Sequence, residues 1–234
     1  MLVVVANRCD ATAEALVHCW RANDAHLLSC EDLSRPGWRH CLGDPGVSTA
    51  VIGSRLVGIE KITGVLSLLP CVTADRLSHI LPEDRAYVAA EMMAFLVSWL
   101  SELACPVLNR PTPACLMGPN WGPAQWVHAA ALAGISVRPI RRRVVLAADP
   151  LPELSEIEPA TVTVVGDRCF GDVDRTLAMK ARRLAAVAGV DMVAIHFDSP
   201  EADARLLGAD LRPNISSPEI ADAILETLER SRRC

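Results

Sequence analysis

The chain has 234 residues, 51% apolar and 22% charged, which fits one domain or two small ones with packed cores and excludes a disordered chain. Its 28 acidic and 23 basic residues give a net charge of −5 without a basic stripe, which argues against a nucleic-acid partner. Single cysteines without a C-x-x-C pair, no membrane-length apolar run and no signal-peptide pattern predict a reduced, cytoplasmic protein without a membrane partner.

The first part of the chain alternates predicted strands and helices. Short apolar runs predict strands over residues 2–6, 26–30, 64–69 and 106–108. Two strand-like segments flank Gly53-Ser54, where a glycine in the first position favours a type II′ hairpin turn. A first helix is predicted after Asp10, with Ala15, Leu16, Cys19 and Trp20 on its apolar face. A second is predicted from Pro82 to about residue 103, and a third over residues 122–133.

An acidic stretch rich in proline, residues 147–160, separates the first part of the chain from the second. Residues 136–139 predict a strand that leads into three consecutive arginines at 141–143. Beyond the acidic stretch, we predict a strand over 161–165, a turn over 166–171, a helix over 174–188 and a strand over 190–197. Ser217 and Pro218 are suited to the N-cap and first position of a last helix. The order of elements predicts an α/β fold in two lobes.

Two stretches of the sequence resemble the ATP-grasp ligases, a superfamily that includes glutathione synthetase and the ligases that modify ribosomal peptides. LVVVANRCDATAEALVHCW, CPVLNRPTP and WVHAAALAGISVRP resemble its N-terminal domain, which precedes the ATP-grasp lobes. VTVVGDRCF, AGVDMV and RPNISSPEIADAILETL resemble its C-terminal lobe. The resemblance implies a Rossmann-like domain over residues 1–143, a linker over 144–161 and a smaller α/β lobe over 162–234.

The resemblance breaks between these two stretches. In the family, a nucleotide-clamping lobe lies there and supplies lysines and a glycine-rich flap to the phosphates. Here only 18 residues separate Arg143 from Val162, and the chain's two lysines, Lys61 and Lys180, both lie outside that interval. Arginine is not interchangeable with the compact ammonium of lysine. The chain is therefore interpreted as truncated and degenerate relative to the family.

The resemblance also implies a metal site, which this sequence alters. The family holds magnesium with an acidic residue on the core strand and a Glu-x-Asn pair near the end of the lobe. The matching positions are Asp191, Arg212 and Asn214, so an arginine replaces the expected glutamate. Because Mg²⁺ prefers carboxylate and phosphate oxygens, we expect this site to be defective, with Asp198 or Asp210 as possible substitutes.

The remaining candidates follow strand ends. Asp10 and Thr12 follow the first strand, and Asn109 and Arg110 close a later one, at the sheet edge where α/β folds commonly bind ligands. Capping by Asp10, a turn at Asn109 and a solvated Arg110 are the structural alternatives. Arg138 and Arg142 are candidates for phosphate or ligand binding. We expect Cys169 to be an inert thiol rather than a nucleophile, since no histidine accompanies it in a known motif.

Three functions are compatible with these features. The first is a degenerate ATP-grasp-like protein that binds a peptide, a small metabolite or a partner enzyme without ATP-dependent ligation and without a cofactor. The second is a minimal carboxylate–amine ligase, which alone would require ATP and magnesium. The third is an interaction subunit whose nucleotide clamp comes from another chain. A homodimer is a further expectation for the chain. A peptide- or natural-product-tailoring context is implied by the resemblance.

Overall fold

A computed structural model of the protein describes residues 1–43, 45–137 and 159–230, apart from the side chain of residue 45. These residues form two compact units. The first unit contains Met1–Asn120 and the described residues from Asn214 onward, and the second contains the described residues of Trp121–Pro213. Residues 144–158 of the predicted linker lie outside the described residues, and the predicted domain boundaries stay a prediction. No helix in the described ranges combines the length and hydropathy needed to cross a bilayer.

Strands and helices alternate along both units, which confirms the predicted α/β class. The strands are β1 (Leu2–Val5), β2 (Ala25–Leu28), β3 (Thr49–Ile52), β4 (Arg55–Gly58), β5 (Gly64–Ser67), β6 (Val107–Leu108), β7 (Ser136–Val137), β8 (Ala160–Val165), β9 (Arg168–Phe170), β10 (Met192–Phe197) and β11 (Arg205–Asp210). The α-helices are α1 (Ala11–Cys19), α2 (Cys30–Leu33), α3 (Arg85–Glu102), α4 (Pro123–Leu132), α5 (Arg175–Ala188) and α6 (Pro218–Arg230).

The first unit is built on a parallel sheet with strand order β2-β1-β5-β6. All four residues of β1 and of β5 are buried, as expected of strands covered on both faces. Val3 and Val5 join a core cluster that includes Leu96 and Trp99 of α3. The opposite face packs against α6, because Leu228 and the side chain of Leu2 both lie against Gly64.

The second unit is built on a mostly antiparallel sheet with strand order β7-β11-β10-β8-β9. β10 pairs antiparallel with both β8 and β11, while β7 pairs parallel with β11. The apolar sides of α4 and α5 contribute Trp126, Leu177 and Leu184 to one cluster with Val162 and Ile195 of the sheet. This sheet therefore has its own hydrophobic core.

Several details differ from the sequence-based expectation, among them a turn, the start of a helix and a strand. The hairpin between β3 and β4 has positive φ at both Gly53 (54°) and Ser54 (67°), so its turn is type I′ rather than type II′. Helix α3 begins at Arg85, not Pro82, because the preceding residues form turns and Arg85 Nε donates to the Ile80 carbonyl. Strand β11 was not predicted. Of its six residues, only Leu206 is buried, and two others are partly buried.

Candidate functional site

The carboxyl edge of the first unit's sheet is the first candidate site; we define it as residues 6–10, 68–71 and 109–118, which follow β1, β5 and β6. The chain leaves β1 to form β2 on one side and later returns to form β5 on the other side. Such a change of direction opens a crevice at the carboxyl ends of the strands, where α/β folds bind ligands. The structure brings the predicted residues Asp10, Asn109 and Arg110 to this edge.

Asp10 lies between β1 and α1 and acts as the N-cap of the helix. Its Oδ1 accepts hydrogen bonds from the backbone amides of Thr12 (3.0 Å) and Ala13 (3.1 Å). These bonds satisfy two of the amides that the first turn of a helix leaves without partners. Capping is thus a sufficient structural role for Asp10, and its predicted role in ligand binding stays a prediction, as does that of Thr12.

Asn109 anchors the loop that follows β6. Its side chain is 1% exposed, and Nδ2 donates to the Met117 carbonyl at 3.0 Å. The Leu116 amide in the same loop donates to the Pro70 carbonyl at 2.8 Å, which ties this loop to the end of β5. Arg110 is exposed, with Nη1 at 3.4 Å from the Ser101 carbonyl. Arg110 therefore presents a cation at this edge, and its ligand stays a prediction.

The residues predicted for metal binding belong to different units. Asp191 of the second unit is exposed and precedes β10, and its carbonyl accepts from the Gly166 amide. Asn214 of the first unit is exposed, and its Oδ1 accepts from the Ser216 amide at 3.1 Å. Across the described ranges, no group of three or more His, Cys, Asp or Glu side chains is arranged to hold a metal ion. Metal binding by Asp191 and Asn214 stays a prediction.

The predicted phosphate ligands, Arg138 and Arg142, lie outside the described residues. The two lysines, which the sequence places outside the expected phosphate site, are described. Lys180, on α5, donates from Nζ to the Ala202 carbonyl at 2.8 Å, and this bond fixes the ammonium within the second unit. Lys61 is exposed in a short 3₁₀ segment of the first unit. The two lysines are therefore far apart in the sequence and belong to different units.

The cysteines of the described part are free thiols with unequal environments. Cys9 and Cys19 are exposed, whereas Cys30 is buried. Burial raises the pKa of the Cys30 thiol to about 11. Burial also raises the pKa of Cys169, whose Sγ lies 3.5 Å from the Ala178 carbonyl. Because the thiolate is the reactive form, this environment favours the predicted inert role for Cys169.

A second candidate site is a groove between α1 and α6, here called the α1–α6 groove. It has a volume of about 590 Å³ and lies entirely within the first unit. Its lining residues from the α1 side are Ala11, Thr12, Ala15, Leu16, Cys19, Trp20 and Asn23. Those from the α6 side are Ile215, Ser216, Pro218, Ala221, Asp222 and Leu225. Of these residues the sequence had singled out only Thr12 as a ligand-binding candidate.

The sequence carried a signal for this groove that was misread. Ala15 and Cys19, predicted on one apolar face with Leu16 and Trp20, are exposed, while Ala13, Leu16 and Trp20 are buried. Small or short side chains at Ala11, Ala15 and Cys19, four residues apart, form one stripe along the helix. Such a stripe leaves room beside the helix. Its partner, α6, comes from the other end of the chain and could not be identified from the local sequence.

The fold is shared with solved structures of ATP-grasp ligases. The macrocyclase MdnC from Microcystis aeruginosa MRC, bound with precursor peptide MdnA, has a TM-score of 0.68 at 12% identity, with 97% of this chain and 98% of that chain covered. The ATP-grasp ligase PsnB, complexed with precursor peptide PsnA2 and AMPPNP, has a TM-score of 0.64 at 16% identity and 98% coverage of both chains.

A third structure extends this similarity. The Chryseobacterium gregarium RiPP-associated ATP-grasp ligase, in complex with ADP and a leader and core peptide, has a TM-score of 0.65 at 12% identity, covering 97% of this chain and 96% of that chain. No family model matches the sequence, and no curated protein matches it. At these identities the similarity establishes the fold, and the expected ATP-grasp-like architecture is confirmed.

Proposed function

We propose that the protein binds a ribosomally made peptide in a peptide-modifying pathway and does not itself catalyse ATP-dependent ligation. The observation that carries the proposal is a contrast between the matching fold and the length of one segment. The fold matches, over nearly the full chain, ligases solved with precursor peptides. Yet only 18 residues lie between Arg143 and Val162, where the resembled family places its nucleotide clamp. The overall fold of these ligases is kept, while the interval in which we place the missing ATP clamp is short.

The lysines and arginines of this chain do not favour a nucleotide clamp. Neither lysine lies in the short interval, and Lys180 Nζ is already bonded to the Ala202 carbonyl. The interval is flanked by Arg138 and Arg141–143, but guanidinium groups differ from ammonium groups in geometry and hydration. Phosphoryl transfer depends on positioned cations together with a metal ion. A truncated, non-catalytic protein is therefore the interpretation that we propose.

The residues aligned with the family's metal site do not fit a magnesium ion. Mg²⁺ requires several oxygen ligands in near-octahedral geometry. The position expected to hold glutamate is Arg212, whose guanidinium offers donors only, and whose amide donates to Asp210 Oδ1 at 2.8 Å. Asn214 Oδ1 already accepts from the Ser216 amide. We therefore derive no catalytic step through a metal ion.

The proposal includes a partner for any chemistry performed on the peptide. If this chain holds a peptide without modifying it, a separate enzyme must act on that peptide, either alone or as a complex with this chain. A reduced cytoplasmic location and a possible homodimer are further expectations of the same proposal. Both can be examined on purified protein and by cell fractionation.

Calorimetric titration with ATP, with and without Mg²⁺, tests the catalytic part of the proposal. We expect no measurable heat from protein shown to be folded by circular dichroism, and no release of phosphate. Micromolar binding lost in Arg142→Ala, or Mg²⁺-dependent turnover, would establish the minimal ligase instead. Selection from a phage-displayed random peptide library tests the peptide part, for which enrichment of related sequences is expected. A library without enrichment would contradict peptide binding.

A further inference from the structure

The α1–α6 groove has features that the carboxyl edge lacks. We infer that it docks a peptide segment that carries spaced apolar side chains and a lysine or arginine. This inference rests on the proposed peptide binding and assigns it to one surface of the first unit. Three independent observations support this occupant: the shape of the groove, its charge and a buried donor without a partner.

The shape of the groove follows from small side chains beside large ones. Leu16, Trp20 and Ile215 form a floor that is 2–4% exposed. Ala15 of α1 and Ala221 of α6 lie along the walls, where short side chains leave space between the helices. A space of this kind beside two helices suits apolar side chains presented three or four residues apart by an incoming segment.

The charge of the groove is negative on the α6 side. Asp222 is exposed and forms no ion pair among the described residues. Glu219 lies three residues before it, on the same face of α6. None of the described lining residues is cationic. A lysine or arginine in the occupant complements this face, whereas a carboxylate would be repelled.

A buried donor in the floor also lacks a partner. Trp20 lines the groove, and its Nε1–H finds no acceptor among the described residues although the atom is buried. A buried donor without an acceptor costs roughly 1–3 kcal/mol. Docking that uncovers Nε1 would offer it a backbone carbonyl of the peptide as acceptor. The floor therefore matches a ligand that combines apolar groups with carbonyl oxygens, as a peptide does.

Alkylation of two cysteines in the wild-type protein tests the docking site. The probe is a synthetic helix-forming peptide with leucine at every third or fourth position and lysine between, and its control has glutamate in place of lysine. Cys19 lines the groove, while the exposed Cys9 does not and serves as an internal reference. At ten times its Kd, the lysine peptide should slow modification of Cys19 by N-ethylmaleimide about tenfold. Cys9 and the glutamate peptide should show no such effect.

Two groove variants with a matched control locate the binding energy. Asp222→Asn should weaken the lysine peptide about two- to fivefold, the value of one exposed ion pair. Glu91→Gln, on the exposed side of α3, removes the same charge elsewhere and should leave the affinity unchanged. Ala15→Trp fills the groove from an exposed helix position and should lower affinity at least about tenfold, since it removes the space for the apolar side chains. Circular dichroism and urea unfolding confirm that each variant is folded.

The possible outcomes separate the two proposals. If the lysine peptide binds with Cys19 unprotected and both groove variants unchanged, the groove is not the site, although peptide binding stands. If Asp222→Asn and Glu91→Gln weaken binding equally, the attraction is due to net charge and the assignment is overturned. If neither this probe nor any library peptide binds, the proposed function itself fails. If sedimentation shows a dimer that Ala15→Trp dissociates, the occupant is a second copy of this chain and the peptide inference is wrong.

Discussion

The two units differ in how they use their polar groups. In the second unit, Lys180 Nζ donates to the Ala202 carbonyl, and the carboxylates of Asp198 and Asp210 accept from nearby backbone amides. In the first unit, three buried side-chain nitrogens lack partners among the described residues. These are Trp20 Nε1, His40 Nδ1 and Trp99 Nε1. Among the described residues, the buried side-chain nitrogens without partners therefore lie in the first unit, while the polar groups named in the second unit stabilise its own loops.

Not every unpartnered donor in the first unit marks a binding site. Trp99 belongs to an aromatic cluster in which Trp38 packs edge-to-face against Phe95 (5.2 Å) and Trp99 (5.5 Å). Such contacts add roughly 0.5–1.5 kcal/mol beyond simple burial. His40 joins the cluster, with Nε2 at 2.9 Å from Ser98 Oγ. Packing in this cluster explains why the Trp99 indole is buried, whereas Trp20 lines the α1–α6 groove.

Removal of Trp99 should give the largest change in stability. Trp99 is 1% exposed in the core of the first unit, so Trp99→Ala leaves a large cavity and should lower the free energy of unfolding by about 3–5 kcal/mol. Trp99→Phe retains one aromatic ring and loses the rest of the indole, together with a donor that has no acceptor among the described residues, so its cost should be smaller. Urea unfolding measures both. Equal losses in the two variants would contradict the view that one aromatic ring at this position preserves most of the packing.

The rate of thiol alkylation should differ strongly between the buried Cys30 and the exposed Cys19. With its pKa raised to about 11, Cys30 has about one thiolate per thousand molecules at pH 8, and burial adds steric protection. We expect N-ethylmaleimide to modify Cys30 at least about a hundredfold more slowly than the exposed Cys19. Peptide mapping by mass spectrometry gives both rates. In urea the difference should vanish; a fast Cys30 in folded protein would show that the core of the first unit opens readily.

Loss of the α1 cap should have an intermediate effect. Asp10→Ala removes the acceptor of the Thr12 and Ala13 amides and should cost about 1 kcal/mol, measured by urea unfolding. Asp10→Ser preserves a capping oxygen and should stay within a few tenths of a kcal/mol of the wild type. Peptide affinity measured on the same variants extends the comparison. A strong loss of affinity in Asp10→Ser despite normal stability would move the binding site from the groove to the carboxyl edge.

The second unit should show a small pH-dependent effect at Asp174, the N-cap of α5. The Thr176 amide donates to its Oδ1 at 2.7 Å and lowers the pKa of the carboxyl below 3.8. The contribution of Asp174 is therefore fully present above the unfolded pKa and is lost as the pH falls through the folded pKa. The wild type should melt at a slightly higher temperature than Asp174→Asn at pH 6, and the difference should shrink at pH 3. A difference that grows at low pH would contradict this assignment.

Local signals in the sequence predicted much of the fold. The cap at Asp10, the first position at Pro218 and the apolar runs of β1 and β5 each depend on near neighbours, and each was confirmed. The type I′ turn was missed because the positive φ of Ser54 is not encoded by residue type. Strand β11 was missed because its burial alternates only weakly and its pairing depends on β10.

The candidate site was less accessible to sequence reasoning than the fold. Thr12 and Asp10 could be placed after a strand, and this placement held. The residues that face Thr12 across the groove, Asp222 and Leu225, lie more than half the chain away. No periodicity reports which helix will pack beside another at such a separation. The ATP-grasp resemblance supplied the overall arrangement but assigned no role to this groove.

The return of α6 to the first unit has a consequence for the growing polypeptide. Ile220, Ile224 and Leu228, all nearly buried, complete a unit whose other elements end at residue 120. During translation, the sheet face that receives them stays uncovered until α6 has been synthesised. The second unit, continuous in sequence, meets no such delay. A ribosome stalled before residue 218 would therefore carry a chain whose first unit still exposes an apolar face to chaperones.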